Sequence, residues 1–171
     1  MQRVSGQRFT LFLFIIAMMS LAVAGVRAES ADITENYRVL EWPDLVPEGW
    51  EPPLVAPAHD EVEARGVDPA SVVAALDNTL VALPGYRVPV VFEENQVTEF
   101  LLVPMLPHHT KQHAHLEPNQ RVYVRLIEPI PVENPLQPVW VVGRLTLDAV
   151  FTDSGMAAYG IVDALSTPYE Y

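Results

Sequence analysis

Tyr86-Arg87-Val88-Pro89-Val90-Val91-Phe92-Glu93-Glu94-Asn95-Gln96-Val97-Thr98-Glu99-Phe100-Leu101-Leu102-Val103 is the stretch on which the fold turns. Two runs rich in β-branched and aromatic residues flank the polar triplet Glu93-Glu94-Asn95, which is the pattern of a β-hairpin. Pro89 has no backbone donor, so its strand is expected to lie at an edge or to carry a bulge. Just upstream, Thr79 to Leu83 is short, apolar and β-branched, and Pro84-Gly85 reads as a turn leading into the hairpin.

Working outward, the β signal persists to the end of the chain. Asn119 to Ile127 alternates, with Val122, Val124 and Leu126 on one face and Arg121, Tyr123 and Arg125 on the other. Val139 to Leu147 is the most apolar strand, and Gly143 inside it marks a bend where a sheet coils. Thr152-Asp153-Ser154-Gly155 is a turn before a last strand, Ala157 to Ala164. Pro104-Met105-Leu106-Pro107 and Pro129 to Pro138 are proline-rich connections. Toward the N-terminus, Tyr37 to Trp42 reads as a first strand or docking segment, and the five prolines between Pro43 and Pro57 read as a linker or wrapped loop. One short helix is expected: Asp68 is a good N-cap, Pro69 suits the first helical position, and Val72, Val73 and Leu76 form an apolar stripe ending near Asp77-Asn78. The expected fold is mainly β, a small five- to six-stranded barrel, OB-like, with one short helix and proline-rich loops.

The first residues read as a signal peptide. Arg3 and Arg8 form a positive region, Leu11 to Ala24 is apolar but short for a bilayer span, and Val26-Arg27-Ala28 offers a cleavage site after Ala28. Residues 1–28 are thus the expected signal, 29–57 an N-terminal arm with a proline-rich linker, and 58–171 a single β-rich domain. A periplasmic or secreted location follows, with no membrane span after cleavage. The mature chain would hold seven basic against twenty-two acidic residues, a formal charge of −15. Such a surface repels nucleic acid and anionic headgroups. With no cysteine, the chain has neither disulfides nor thiol chemistry.

Several landmarks taken in order, Glu41-Trp42-Pro43-Asp44-Leu45-Val46-Pro47, Gly85-Tyr86-Arg87-Val88-Pro89-Val90, Glu99-Phe100-Leu101-Leu102-Val103-Pro104, Pro118-Asn119-Gln120 and Val139-Trp140-Val141-Val142-Gly143-Arg144-Leu145, carry a resemblance. Together they resemble an uncharacterised family of bacterial exported proteins and lipoproteins, the domain of unknown function 3299 (DUF3299). The resemblance implies an exported accessory protein whose relatives are sometimes encoded beside ABC-type transporters and histidine-rich exported proteins, in settings of zinc supply. Where similar proteins have Cys-x-His before a proline run and Asn-Gln, this chain has His113-Ala114-His115-Leu116-Glu117-Pro118-Asn119-Gln120. A histidine in the cysteine position keeps a metal donor and abandons thiol redox chemistry.

Four of the five histidines, His108, His109, His113 and His115, fall within eight residues. Imidazole is a common ligand of zinc and copper, and His113 and His115 at i, i+2 share one face of an extended segment. His108 or His109 supplies a third donor if Thr110 to Gln112 turns back, and Glu117 continues the series as a carboxylate. Imidazole and carboxylate without sulfur favour zinc, with cupric copper as the alternative. Met105 would matter only for cuprous copper and otherwise reads as core packing, and His59 with Asp60 and Glu61 reads as a solvated surface group, with completion of a site from across the fold as the alternative. The expected function is an exported metal-binding accessory protein whose partners are a metal ion and an envelope transporter or other periplasmic protein. The alternative is a non-catalytic barrel module, with Trp42, Trp50, Tyr123 and Trp140 lining a binding face. Catalysis has no good candidate: Ser30, Ser71, Ser154 and Ser166 lie in no nucleophile elbow, and neither a His-Glu-x-x-His motif nor a glycine-rich phosphate loop is present.

Overall fold

The strand that organises the molecule is fourteen residues long, β2 (Leu80–Glu93), with only two residues of β1 (Arg38–Val39) before it. At roughly 3.3 Å per residue such a strand exceeds the height of a small barrel, so it must bend and change neighbours. It does so midway: Leu80 to Gly85 pair with β5 (Val139–Thr146), and Tyr86 to Glu93 pair with β3 (Gln96–Val103). The structure, a computed structural model, describes residues 37–54, 66–106, 116–131 and 137–170, excepting the side chains at 92 and 93.

Pro84-Gly85 therefore does not turn the chain back but lies within continuous strand. The change of partner tolerates Pro84, whose missing donor costs little where one ladder hands over to another, and its carbonyl accepts the indole N–H of Trp42 at 2.7 Å. Gly85 is required by close approach: a Cβ there would stand 2.8 Å from the Val103 carbonyl oxygen and 2.9 Å from Leu102 Cγ. Beyond it, the register slips between Pro89 and Phe92, which is the bulge expected at Pro89. Glu94 and Asn95, both at positive φ, close the hairpin to β3.

From β3 the sheet continues antiparallel to β4 (Val122–Pro131), which lies parallel to β8 (Tyr159–Pro168); β8 is antiparallel to β5, and β5 returns to β2. Five strands in the order β2-β3-β4-β8-β5 thus close a barrel, and β1 adds a sixth strand parallel to β2. Parallel third and fifth barrel strands and a shared first strand are the OB arrangement expected from the sequence. Between β5 and β8 sits a separate hairpin of β6 (Val150–Thr152) and β7 (Gly155–Ala157), turning at the expected Thr152 to Gly155. A bulge in the β5–β8 ladder falls between Val142 and Arg144, at the bend read from Gly143.

The expected helix is replaced by two 3-10 turns, Pro69–Ser71 and Ala74–Leu76, separated by extended Val72 and Val73. Asp68 caps the first as read, its carboxylate accepting from the Ala70 N–H at 2.9 Å. Continuation fails because the Val73 N–H goes to the Tyr159 hydroxyl at 2.7 Å instead of to a carbonyl one turn back. That same hydroxyl donates to the Leu45 carbonyl at 2.7 Å. Tyr159 is fully buried at the start of β8, and its one oxygen ties two N-terminal segments to the barrel.

The main core lies inside the barrel, where Val81, Leu83, Phe100, Leu102, Val122, Val124, Val141, Leu145 and Ile161 meet. Leu40, Leu45 and Leu76 join it from the N-terminal segments, so the stretch from Tyr37, read as an arm, contributes fully buried residues. The expected signal peptide lies outside the described residues, among which no helix is long and apolar enough to cross a membrane.

Candidate functional site: the outer face of β2, β3 and β4

Strand alternation puts Phe100, Leu102, Val122 and Val124 inside the barrel and therefore Leu101, Val103 and Tyr123 outside it. Those outward residues are nevertheless buried. With Leu106, Leu116 and Ala157 they make a second apolar cluster, against which Tyr86, Val88, Val90 and Val150 also pack. The outer surface of three strands is thus covered by the chain's own connections.

Residues 107–115, which carry His108, His109, His113 and His115, lie outside the described residues, as does His59. Their two brackets do not: Leu106 is 4% exposed and Leu116 is 8% exposed, and both belong to the outer cluster. The histidine stretch leaves and re-enters on one face. Glu117 follows at once and forms a reciprocal capping box with Gln120 around the 3-10 turn Pro118–Gln120, its own N–H donating to Gln120 Oε1 at 3.2 Å. Its charge also faces the guanidinium of Arg121, whose pKa is lowered by burial and partly restored by Glu117. Glu117 is therefore already engaged at both its backbone and its carboxylate. Among the described residues no group of three or more histidine, aspartate or glutamate side chains is placed to hold a metal ion.

Next to the cluster stands a polar trio that sequence reading did not single out. Register pairs Glu99 with Arg125 and Leu101 with Tyr123. The Tyr123 hydroxyl donates to the Glu99 carboxylate, Arg125 Nε lies 3.8 Å from the other Glu99 oxygen, and the Arg125 guanidinium sits 5.3 Å from the Tyr123 ring centroid. Burial first, then the hydrogen bond and charge of Glu99, push the Tyr123 phenol up to about 12, with Arg125 opposing. The phenol stays protonated as a donor, and the trio rims the apolar cluster without offering a nucleophile. Alternation along β4 placed Tyr123 and Arg125 together; only the β3–β4 register brings in Glu99.

The aromatic face expected of Trp42, Trp50, Tyr123 and Trp140 is divided. Trp42 packs against the main core, while Trp140 stacks on Tyr169 at 5.5 Å between centroids on the outside of β5. Tyr123 lies on β4, with β8 between it and β5.

Fold and surface together define a small acidic OB-type barrel whose outer face over β2, β3 and β4 carries an apolar cluster covered by its own connections. A family model described as "Protein of unknown function (DUF3299)" matches residues 42–166, and the chain belongs to that family. It is similar to the crystal structure of a DUF3299 family protein from Pseudomonas aeruginosa PAO1, with 35% sequence identity and a TM-score of 0.62 over 79% of this chain and 97% of that one. No curated protein matches the chain.

Proposed function

We propose that the protein is an exported, periplasmic metal-binding accessory protein that holds zinc, with copper as the alternative, and hands it to or receives it from an envelope transport system of the ABC type. His113 and His115 are the leading donors, with His108 or His109 as the third and Glu117 as a carboxylate that would have to leave its capping box. The observation that carries this reading is the anchoring of the histidine stretch: Leu106 and Leu116, on either side of it, are buried in one cluster. Holding both ends on a rigid face removes part of the entropy that four clustered imidazoles would otherwise lose on converging around an ion.

The test is a calorimetric titration of chelator-stripped mature protein with zinc. One equivalent should bind, and a His113→Ala/His115→Ala variant should lose that affinity. Stoichiometric binding that survives the double substitution removes the pair from the site. Affinity should also fall between about pH 7.5 and about pH 5.5, because a protonated imidazole cannot ligate.

A second reading, a non-catalytic envelope-binding module, is favoured by a different surface. Val39, Ala82, Val142 and Leu165 are consecutive register partners across β1, β2, β5 and β8. Val39 and Leu165 are 58% and 56% exposed. Ala82 is buried and Val142 half-buried between them, so the row is an apolar strip open at both ends, a surface that a partner can cover. This reading carries no physiological metal, so two results together select it: no stoichiometric zinc binding by the wild-type protein, and loss of envelope association in a Val39→Asp/Leu165→Asp variant.

A further inference from the structure

We propose that the β6–β7 hairpin is a self-docked strap, latched by Arg121, that occupies the barrel's ligand face and opens as a unit while the barrel stays folded. OB barrels take their ligands on the outer face of the second and third strands, between the connections joining strands one to two and four to five. Here those strands are β3 and β4, and the last of those connections is the one that carries β6 and β7. Val150 and Ala157 lie in the apolar cluster with Leu101, Val103 and Tyr123, so the hairpin sits where a ligand would.

Its attachment is narrow. β6 and β7 pair only with each other, as a two-stranded sheet apart from the six-stranded one. The polar links to the barrel side are the Ala158 N–H donating to the Pro118 carbonyl at 2.8 Å and Arg121 Nη1 donating to the Met156 carbonyl at 3.4 Å. Gly155, at φ +116°, lets the guanidinium lie against the turn; a Cβ there would stand 2.6 Å from Nη1. Among the described residues the hairpin is thus held by the burial of β7 and by few hydrogen bonds to the barrel, and such a segment has a lower opening free energy than strands laddered on both sides.

The seated segment also indicates what it stands in for. Val150 and Ala157 present apolar side chains to the cluster from extended strands, and the acidic chain disfavours nucleic acid. The external occupant is therefore an extended apolar segment of a partner protein, competing with the strap for the same face.

Native-state hydrogen exchange on the mature wild-type chain tests the strap. The Ala158 amide and those of residues 150–157 should exchange at least about tenfold faster than those of Leu101–Val103 and Val122–Val124. Equal rates overturn the proposal. In a Gly155→Ala variant, exchange in the hairpin alone should rise by a further factor of about ten, with binding of the dye 8-anilinonaphthalene-1-sulfonate and an unchanged far-UV spectrum. Acceleration throughout the barrel would show the hairpin to be integral to it and overturn the strap. A synthetic peptide of residues 150–157 should displace the dye. Displacement by a single-stranded oligonucleotide, or dye loss through self-association seen in sedimentation, would overturn the assigned occupant.

Discussion

Tyr159 concentrates more of the architecture than any other single residue. Its hydroxyl gives a proton to Leu45 and takes one from Val73, so removing it orphans a carbonyl and an amide at once. Each unsatisfied buried group costs about 1–3 kcal/mol, and Tyr159→Phe should lower the unfolding free energy by about 2–4 kcal/mol, measured as a fall in the urea midpoint at constant slope. Both Tyr159 and Tyr123 hold their protons more tightly in the folded chain than in the unfolded one, Tyr159 mainly through burial. Both contributions are whole below the ordinary tyrosine value of 10; that of Tyr123 is lost as pH climbs toward about 12, and that of Tyr159 as pH rises above its ordinary value. The urea midpoint should therefore drop across that alkaline window, and less steeply in Tyr123→Phe; an unchanged slope in the variant would assign the drop elsewhere. Tyr123 was visible in the sequence as an outward strand position. Tyr159 was not, because nothing local announces a phenol whose partners lie eighty-six and one hundred and fourteen residues away.

At the scale of elements, the hairpin around Glu93 to Asn95, the bulge at Pro89 and the coil at Gly143 were legible because each depends on a local backbone property. Two elements were not. The expected helix after Asp68 had its cap and its proline, yet the β-branched Val72-Val73 pair went extended once a distant hydroxyl claimed the Val73 N–H. Pro84-Gly85 has the composition of a turn, but composition cannot report that Val103 passes so close that only glycine fits. A Gly85→Ala substitution should destabilise by about 1–3 kcal/mol through that clash, read from thermal or urea unfolding. A neutral outcome would mean that β2 can shift off β3 at little cost. The clustered histidines are a separate case: their clustering was plain in the sequence, they lie outside the described residues, and the fold adds the buried brackets Leu106 and Leu116.

For the whole molecule, a formal charge of −12 on a small barrel implies self-repulsion that salt relieves. The midpoint of thermal unfolding should rise between low salt and about 0.5 M sodium chloride, where the screening length shrinks to a few ångströms. A flat response would place the carboxylates too far apart to repel. Mainly β character and barrel closure were legible from spacing alone, but strand order was not, since the parallel β4–β8 pairing is specified by contacts across the whole domain. That pairing has a consequence in time. β8 follows the other four barrel strands in the chain and bonds to both β4 and β5, so the barrel cannot close before β8 has been made. During synthesis the barrel must wait with its β4 and β5 edges unjoined and its interior open. Long-range closure of this kind is slow, of the order of milliseconds to seconds. It leaves the interior of the sheet open to water until β8 joins the two edges.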